Sequence, residues 1–313
     1  VKKTLIIDCD PGVDDATGLL LAFAAPDLDV LAVTTVGGNV PAAQTARNAC
    51  ILRQIAGRED VLVFMGAAQP LRRAPAGAVE FHGAEGLGDL APVETRQSYE
   101  TETASEALIR LIHSREPKTA TLVVMGPMTN VALALRQDPS LADRIQQIIA
   151  MGGARSEGGN ITASAEFNIW ADPDAAHEVL STSVPVVLLG LDATHQVRAT
   201  EERIAAIETI DSDPARTVAA MLRFSQRVER TIVGCDAAPL HDPCTIAYLM
   251  RPELFEVCPA HIRIETESDL TRGHTAVEFR VAADSAPHLW ATKADADGVF
   301  DLITRTLSDG AIK

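Results

Sequence analysis

The chain of 313 residues is 47% hydrophobic and carries a formal charge of −16, with a sequence pI near 4.9. That apolar content can bury a large core, while the acidic balance excludes nucleic acid and anionic membrane as partners, since each needs a basic face. No run of about 18 apolar residues is present to span a bilayer, Val1-Lys-Lys leads into the first strand without a signal-peptide apolar segment, and the five cysteines lack metal-type spacing; together these predict reduced thiols and a cytoplasmic protein.

Leu5, Ile6 and Ile7 form a short apolar run suited to a strand covered on both faces, and Pro11-Gly12 turns it into an amphipathic helix from Asp14 to Ala25. A strand over Leu31 to Val36, a helix over Ala42 to Ile55 and a strand over Val61 to Met65 follow, and then a Gly-, Pro- and Ala-rich loop from 66 to 100, long enough to be functional. The pattern resumes with a helix near Ala104 to Ser114, a strand at Ala120 to Val124, a helix from Met128 to Arg136 and a strand at Gln147 to Met151. After a Gly-rich loop come a helix near Pro173 to Leu180 and a strand at Val184 to Leu189, then helical sequence from Ala199 to Arg230. Residues 260 to 281 alternate like an antiparallel pair turned at Arg272-Gly273, and a last helix runs from about Ala294 to Leu307. This order predicts an α/β fold: a mainly parallel open sheet with helices on both faces and a small antiparallel extension, as one domain over residues 1–313.

The first turn carries the chemistry. Asp8, Asp10, Asp14 and Asp15 gather at the carboxyl end of a parallel strand, where open α/β sheets place their ligands. A helix cap accounts for one of them, not for four, and like charges this close raise one another's pKa unless a cation neutralises them. With only hard oxygens among the donors, Ca²⁺ or Mg²⁺ is favoured over Zn²⁺. An EF-hand counted from Asp8 fails because its twelfth position is Leu19. A phosphatase with Asp8 as an aspartyl nucleophile stays open on these residues alone. Gly83-Ala-Glu-Gly-Leu-Gly88 has a glycine spacing that follows no clear strand, so it makes a poor dinucleotide site. Asp242 before Pro243 reads as a helix N-cap, and Asn160 after two glycines as a turn residue.

Asp8-Cys-Asp10-Pro-Gly-Val-Asp14-Asp15-Ala resembles the amino-terminal fingerprint of the inosine-uridine preferring nucleoside hydrolases. Later segments agree in order: Val36-Gly-Gly-Asn39, His82-Gly-Ala-Glu85-Gly-Leu-Gly88, Met125-Gly-Pro-Met-Thr-Asn130, Met151-Gly-Gly153, Ala165-Glu-Phe-Asn168-Ile-Trp-Ala-Asp172-Pro, Leu191-Asp-Ala-Thr-His195 and Leu240-His-Asp242-Pro. The resemblance implies Ca²⁺ held by Asp10, Asp15, Asp242 and the carbonyl of Met125, with Asp8 structural. It gives Asp14 and Asn168 the 2′ and 3′ hydroxyls of a ribose, Asn160 and Glu166 the 5′ hydroxyl, and Asn39 the metal and water side. Asp10 becomes the base that activates water and His241 the acid that serves the departing nucleobase, with His82 in a mobile segment nearby. His195 is expected to be an ordinary surface or core histidine, and Glu85 receives no role.

The implied reaction is hydrolysis of ribonucleosides of the inosine, uridine or cytidine type to free base and ribose, by a homotetramer or dimer. A non-catalytic Ca²⁺-dependent nucleoside-binding protein would share the ribose contacts. Base preference stays open: the family reads the base with a region matching Met221 to Thr231, where some members place tyrosines and this chain has Arg223-Phe-Ser-Gln226-Arg227-Val-Glu-Arg230. Gln226 or Arg227 is the candidate there for a hydrogen bond to a pyrimidine carbonyl.

Overall fold

The computed structural model describes residues 2–282 and 286–310; Val1 and the last three positions of the expected 1–313 domain lie outside them. Its strands are β1 (Lys3–Cys9), β2 (Leu28–Thr35), β3 (Leu62–Met65), β4 (Ala120–Val124), β5 (Gln147–Met151), β6 (Val186–Leu189), β7 (Arg198–Ala199), β8 (Ala238–Pro239), β9 (Phe255–Ile264), β10 (Thr275–Glu278) and β11 (His288–Ala294). Nine of them form one sheet in the order β10-β9-β11-β6-β5-β4-β1-β2-β3, and β7 pairs with β8 beside it. From β11 to β3 every neighbour is parallel; β9 and β10 add the antiparallel edge.

Strands covered on both faces need apolar residues at every position. β1 alternates accordingly: Leu5, Ile7 and Cys9 enter one core and Ile6 the other. The first core is closed by helices Val13–Ala24, Asp213–Ile232, Pro243–Met250 and Ala296–Gly310, the second by Ala104–His113, Thr129–Gln137 and Pro173–Leu180. β1 has β2 on one side and β4 on the other. The chain runs outward from β1 to β3 and returns on the opposite flank, so the strand order reverses at β1. Its carboxyl end is where a crevice opens.

The expected helix over 199–230 divides into Glu201–Glu208 and Asp213–Ile232, because Ser212 caps the second through its Oγ, which accepts from the Ala215 N–H (3.3 Å), with Pro214 in the first turn. The long loop contains a helical turn, Val79–His82. No strand was expected at β11, yet it lies inside the sheet, parallel to β6 and antiparallel to β9. Its sequence, HLWATKA, is too short and mixed to advertise that position. No helix among the described residues is long and apolar enough to cross a membrane.

Trp290 of β11 is wholly buried, and Gly190 makes room for it: a Cβ there would lie 2.3 Å from the ring. Trp290→Ala should therefore lower unfolding free energy by about 3–5 kcal/mol. Urea denaturation checks this, and a loss below about 1 kcal/mol would show that the strand is not anchored by the indole.

Candidate active site

The turn after β1 is organised by carboxylates that accept from backbone amides. Gly12 caps helix Val13–Ala24 without a side chain of its own. Asp15, three positions on, accepts from the Gly12 N–H through Oδ2 (3.0 Å) and from the Asp10 N–H through Oδ1 (3.1 Å). Asn39, from the loop after β2, donates through its backbone N–H to Asp10 Oδ2 (2.7 Å). Its side-chain amide donates to Asp15 Oδ2 (3.0 Å) and the Asp10 carbonyl (3.1 Å). The other Asp10 oxygen, Oδ1, is buried and makes no hydrogen bond. Glycine is required around it, because a Cβ at Gly38 would fall 2.0 Å from Asp10 Oδ2 and one at Gly126 2.5 Å from Oδ1.

Asp14 joins the ends of the chain: its Oδ2 accepts from the backbone N–H groups of His241 (2.8 Å) and Asp242 (2.9 Å). Asp242 precedes helix Pro243–Met250 in helical geometry (φ −61°, ψ −41°) and makes no side-chain cap bond. Asp242 thus holds the N-cap position expected of it, with Pro243 first in the helix, but its buried carboxylate does not cap the helix. Asp8 is different. Its Oδ1 accepts from Thr34 Oγ1 (2.6 Å) and Asn130 Nδ2 (2.8 Å) deep under the sheet edge, so it is fully buried and cannot be the exposed nucleophile of a phosphatase.

Burial pushes Asp8 and Asp14 up to about 7, and Asp10 and Asp242 well above the carboxylate range, with the charge of Asp15 adding to the last two. The neighbouring charges acting on this group are those of other acids. Among the described residues no three His, Cys, Asp or Glu side chains are drawn into a closed metal cluster, and Asp15 spends both oxygens on amide donors. The orphaned Asp10 oxygen, the uncapped Asp242 carboxylate and the all-oxygen donor set nevertheless suit a hard divalent ion.

Above this floor lies a cavity of about 460 Å³, within the range of small-molecule sites. On one wall, Asn168 Nδ2 donates to the Met125 carbonyl (2.8 Å) and the Met151 carbonyl (3.3 Å). Glu166 caps helix Phe167–Ala171, accepting from the N–H groups of Asn168 (2.8 Å), Gly153 (2.9 Å) and Ile169 (3.2 Å). Asn160 accepts from the Phe167 N–H (2.9 Å) and is exposed at the rim. Asp14, Asn39, His82, Asn160, Glu166 and Asn168 thus all border one space, together with Met125, Asp242 and His241.

The opposite wall carries the histidines. His82 Nδ1 accepts from the Val13 N–H (3.0 Å), and burial pushes this imidazole down to about 4. His241 Nδ1 meets Thr194 Oγ1 at 2.8 Å, and burial, with the charges of His195 and Arg198, pushes it down to about 3. Both are therefore neutral in the resting site. His195, read from sequence as an ordinary histidine, stands in the same wall, its ring 5.6 Å from that of His241 and its Nδ1 3.0 Å from Glu157 Oε2. Gln226 and Arg227 do not face the cavity. Gln226 is buried and donates to the Asp236 carbonyl (3.1 Å), while Arg227 pairs with Asp89 and lies over Phe224. Their neighbours Ser225, Val228 and Glu229 line the space instead, as residues three and four apart on one helix face must. Glu85 contributes its carbonyl to Asn48 (2.7 Å) and leaves its side chain exposed.

An acid floor at a strand-order reversal, roofed by neutral histidines and polar ribose-sized contacts, defines an α/β enzyme for a small polar substrate. Residues 5–301 match the family described as inosine-uridine preferring nucleoside hydrolase. The chain is 38% identical over 309 residues to the "Inosine-uridine preferring nucleoside hydrolase" of Crithidia fasciculata, covering 98% of each. It is 41% identical over 307 residues to the "Pyrimidine-specific ribonucleoside hydrolase RihA" of Shewanella oneidensis, covering 97% of this chain and 96% of that one. A solved "Plant nucleoside hydrolase" superposes with a TM-score of 0.92 at 32% identity, covering 98% of this chain and 99% of that one. The chain belongs to the nucleoside hydrolase family and is an enzyme that hydrolyses ribonucleosides.

The raised carboxyls make stability depend on pH in a defined direction. Asp8 and Asp14 sit near 7 in the folded chain against an ordinary 3.8, so folding favours their protonated forms. That contribution is complete below about pH 4 and is lost as pH rises through about 7. In chelated protein the melting temperature should fall between about pH 5 and about pH 8, and Asp8→Asn, which mimics the protonated side chain, should make the fall shallower. Calorimetry across that window decides; identical slopes for the two proteins would remove Asp8 from the account.

Proposed function

We propose that the enzyme cleaves the N-glycosidic bond of ribonucleosides with a Ca²⁺ ion held by Asp10, Asp15, Asp242 and the Met125 carbonyl, and that uridine, cytidine and inosine are its substrates. The observation that carries the reading is the buried, unpartnered Asp10 Oδ1 in a floor of acids whose charge no neighbouring cation balances. When bound, such an ion supplies charge compensation to the carboxylates and Lewis acidity toward water and sugar hydroxyls.

The residues divide the reaction between them. Asp10, fixed by Asn39 through one oxygen, uses the other to take the proton of the attacking water. Asp14 keeps Oδ1 for a ribose hydroxyl after committing Oδ2 to the backbone of His241 and Asp242. Asn168, whose NH₂ is held by two carbonyls, offers its amide oxygen to the neighbouring hydroxyl. Asn160 and Glu166 border the 5′ end. As the bond breaks, positive charge spreads over the ribose ring and the surrounding carboxylates stabilise it, while the departing base gains electron density. His241, neutral at rest, meets that density by hydrogen bonding; the growing negative charge raises its basicity, so that it takes a proton from solvent and passes it to the departing base.

Pyrimidine nucleosides are the favoured substrates on two grounds. A relative named pyrimidine-specific is 41% identical, and the helix face over the cavity presents Ser225, Val228 and Glu229, with no aromatic ring to stack a purine. Chromatography of products from a nucleoside panel tests the assignment directly.

Exhaustive chelation should abolish turnover and added Ca²⁺ restore it, with Ca²⁺ found by elemental analysis of the active protein. Asp10→Asn should lower kcat by about 10²–10⁴-fold or more while nucleoside binding persists in calorimetry. Full activity without metal would end the ion assignment. Loss of the 2′ hydroxyl leaves Asp14 and Asn168 unpaired, so uridine should exceed 2′-deoxyuridine in kcat/KM by roughly 10⁴-fold; equal values would refute the ribose contacts.

A further inference from the structure

Glu229 is a largely buried carboxylate without a hydrogen bond among the described residues. It stands in the last turn of helix Asp213–Ile232, where a negative charge opposes the helix dipole. Its side chain is only 15% exposed, and burial pushes its pKa up, offset in part by Arg198 and His195. Among the described residues its one ionic partner is Arg198, whose Nη1 lies 3.6 Å from Oε1, too far for a hydrogen bond. No hydrogen bond to either carboxylate oxygen is formed among the described residues. Arg198 is itself partly committed: Nε donates to the His195 carbonyl (2.9 Å) and Nη1 to the Ala237 carbonyl (3.1 Å), which leaves Nη2 without a hydrogen bond among the described residues. A loose pair of this kind contributes little to stability.

Position gives the pair a purpose. Both side chains line the cavity, on the wall that carries the histidines. From the acid floor the wall runs through Asp14 to His241, from the His241 ring to His195, and from His195 to Arg198 and Glu229. With His241 assigned to the departing base, a ribose seated on the floor would project its base along that wall. The base therefore arrives at one group that can only accept and one that can only donate.

We infer that Glu229 and Arg198 read the hydrogen-bonding edge of the base, Glu229 accepting an N–H and Arg198 Nη2 donating to an adjacent carbonyl or ring nitrogen. The assignment rests on the ribonucleoside hydrolase reading and specifies it. Uracil and hypoxanthine satisfy the pair with an N–H beside a C=O, cytosine with an amino group beside a ring nitrogen. A base whose edge lacks an N–H leaves a half-buried carboxylate desolvated and unpaired, which is the circumstance in which polar sites discriminate most.

The test compares kcat/KM for uridine with 3-methyluridine, and for inosine with purine riboside, which lacks the N–H without adding bulk. In the unaltered enzyme the N–H substrate should lead each pair by about 10²-fold. Glu229→Ala should bring both ratios within about threefold, and Glu229→Gln, which keeps an accepting oxygen, should leave them intermediate. If Glu229→Ala fails to fold, a tenfold fall of both ratios in Glu229→Gln supports the assignment. Ratios that stay at the unaltered value while both substrates slow alike would overturn it and leave Glu229 as a positioning residue for Arg198. Absence of turnover with every ribonucleoside would instead bring down the hydrolase reading itself, a result distinct from an unchanged ratio.

Discussion

Five carboxylates share the carboxyl end of β1 and its surroundings: Asp8, Asp10, Asp15 and Asp242 are buried, and Asp14 is partly buried against the cavity. Charges of one sign in a dry place are the costliest arrangement a fold can hold. The structure meets that cost with directed donors: backbone amides of Asp10, Gly12, Asn39, His241 and Asp242, and side chains of Thr34, Asn39 and Asn130. The donors run out at two buried oxygens, Asp8 Oδ2 and Asp10 Oδ1.

The sheet makes this possible. Because the strand order reverses at β1, the loops after β1 and β4 part, and the gap between them receives both Asp10 and the Met125 carbonyl. Close approach demands glycine at positions 38 and 126, where any side chain would enter the space of the Asp10 carboxylate. Asp8, two residues before Asp10 on the alternating strand, is anchored by Thr34 of the neighbouring strand and by Asn130. It holds the strand end in register for the residue that does the chemistry.

Much of this was legible in the chain. The doubly covered strands announce themselves as unbroken apolar runs, and the acid cluster in one turn admits few explanations. What escaped detection depended on contacts distant in sequence. β11 is a strand only because β6 and β9 flank it, and nothing in HLWATKA states that. On helix Asp213–Ile232 the sequence pointed to Gln226 and Arg227, but the phase at which a helix docks is a tertiary property. The phase adopted turns Ser225, Val228 and Glu229 to the cavity in their place. His195 was read as an ordinary histidine and Arg198 was passed over for the related reason that their wall exists only once β7 has paired with β8. Asp242 sits at the cap position its sequence suggests, but that its carboxylate makes no cap bond is visible only in the folded chain.

Asp14 accepts from amides 227 and 228 positions away in sequence. During synthesis at about 5–20 residues per second, roughly 10 to 45 seconds separate the emergence of those partners. Through that interval β1 has its neighbour β2 to pair with, and Asp10 and Asp15 have their donors on Gly12 and Asn39, but Asp14 lacks both of its amide partners. Only when the segment carrying His241 and Asp242 arrives is Asp14 paired and the fifth carboxylate added. The catalytic centre is thus among the last parts of the molecule to mature, and a chain interrupted before position 241 would own every strand of the parallel sheet except β11 and still possess no closed site.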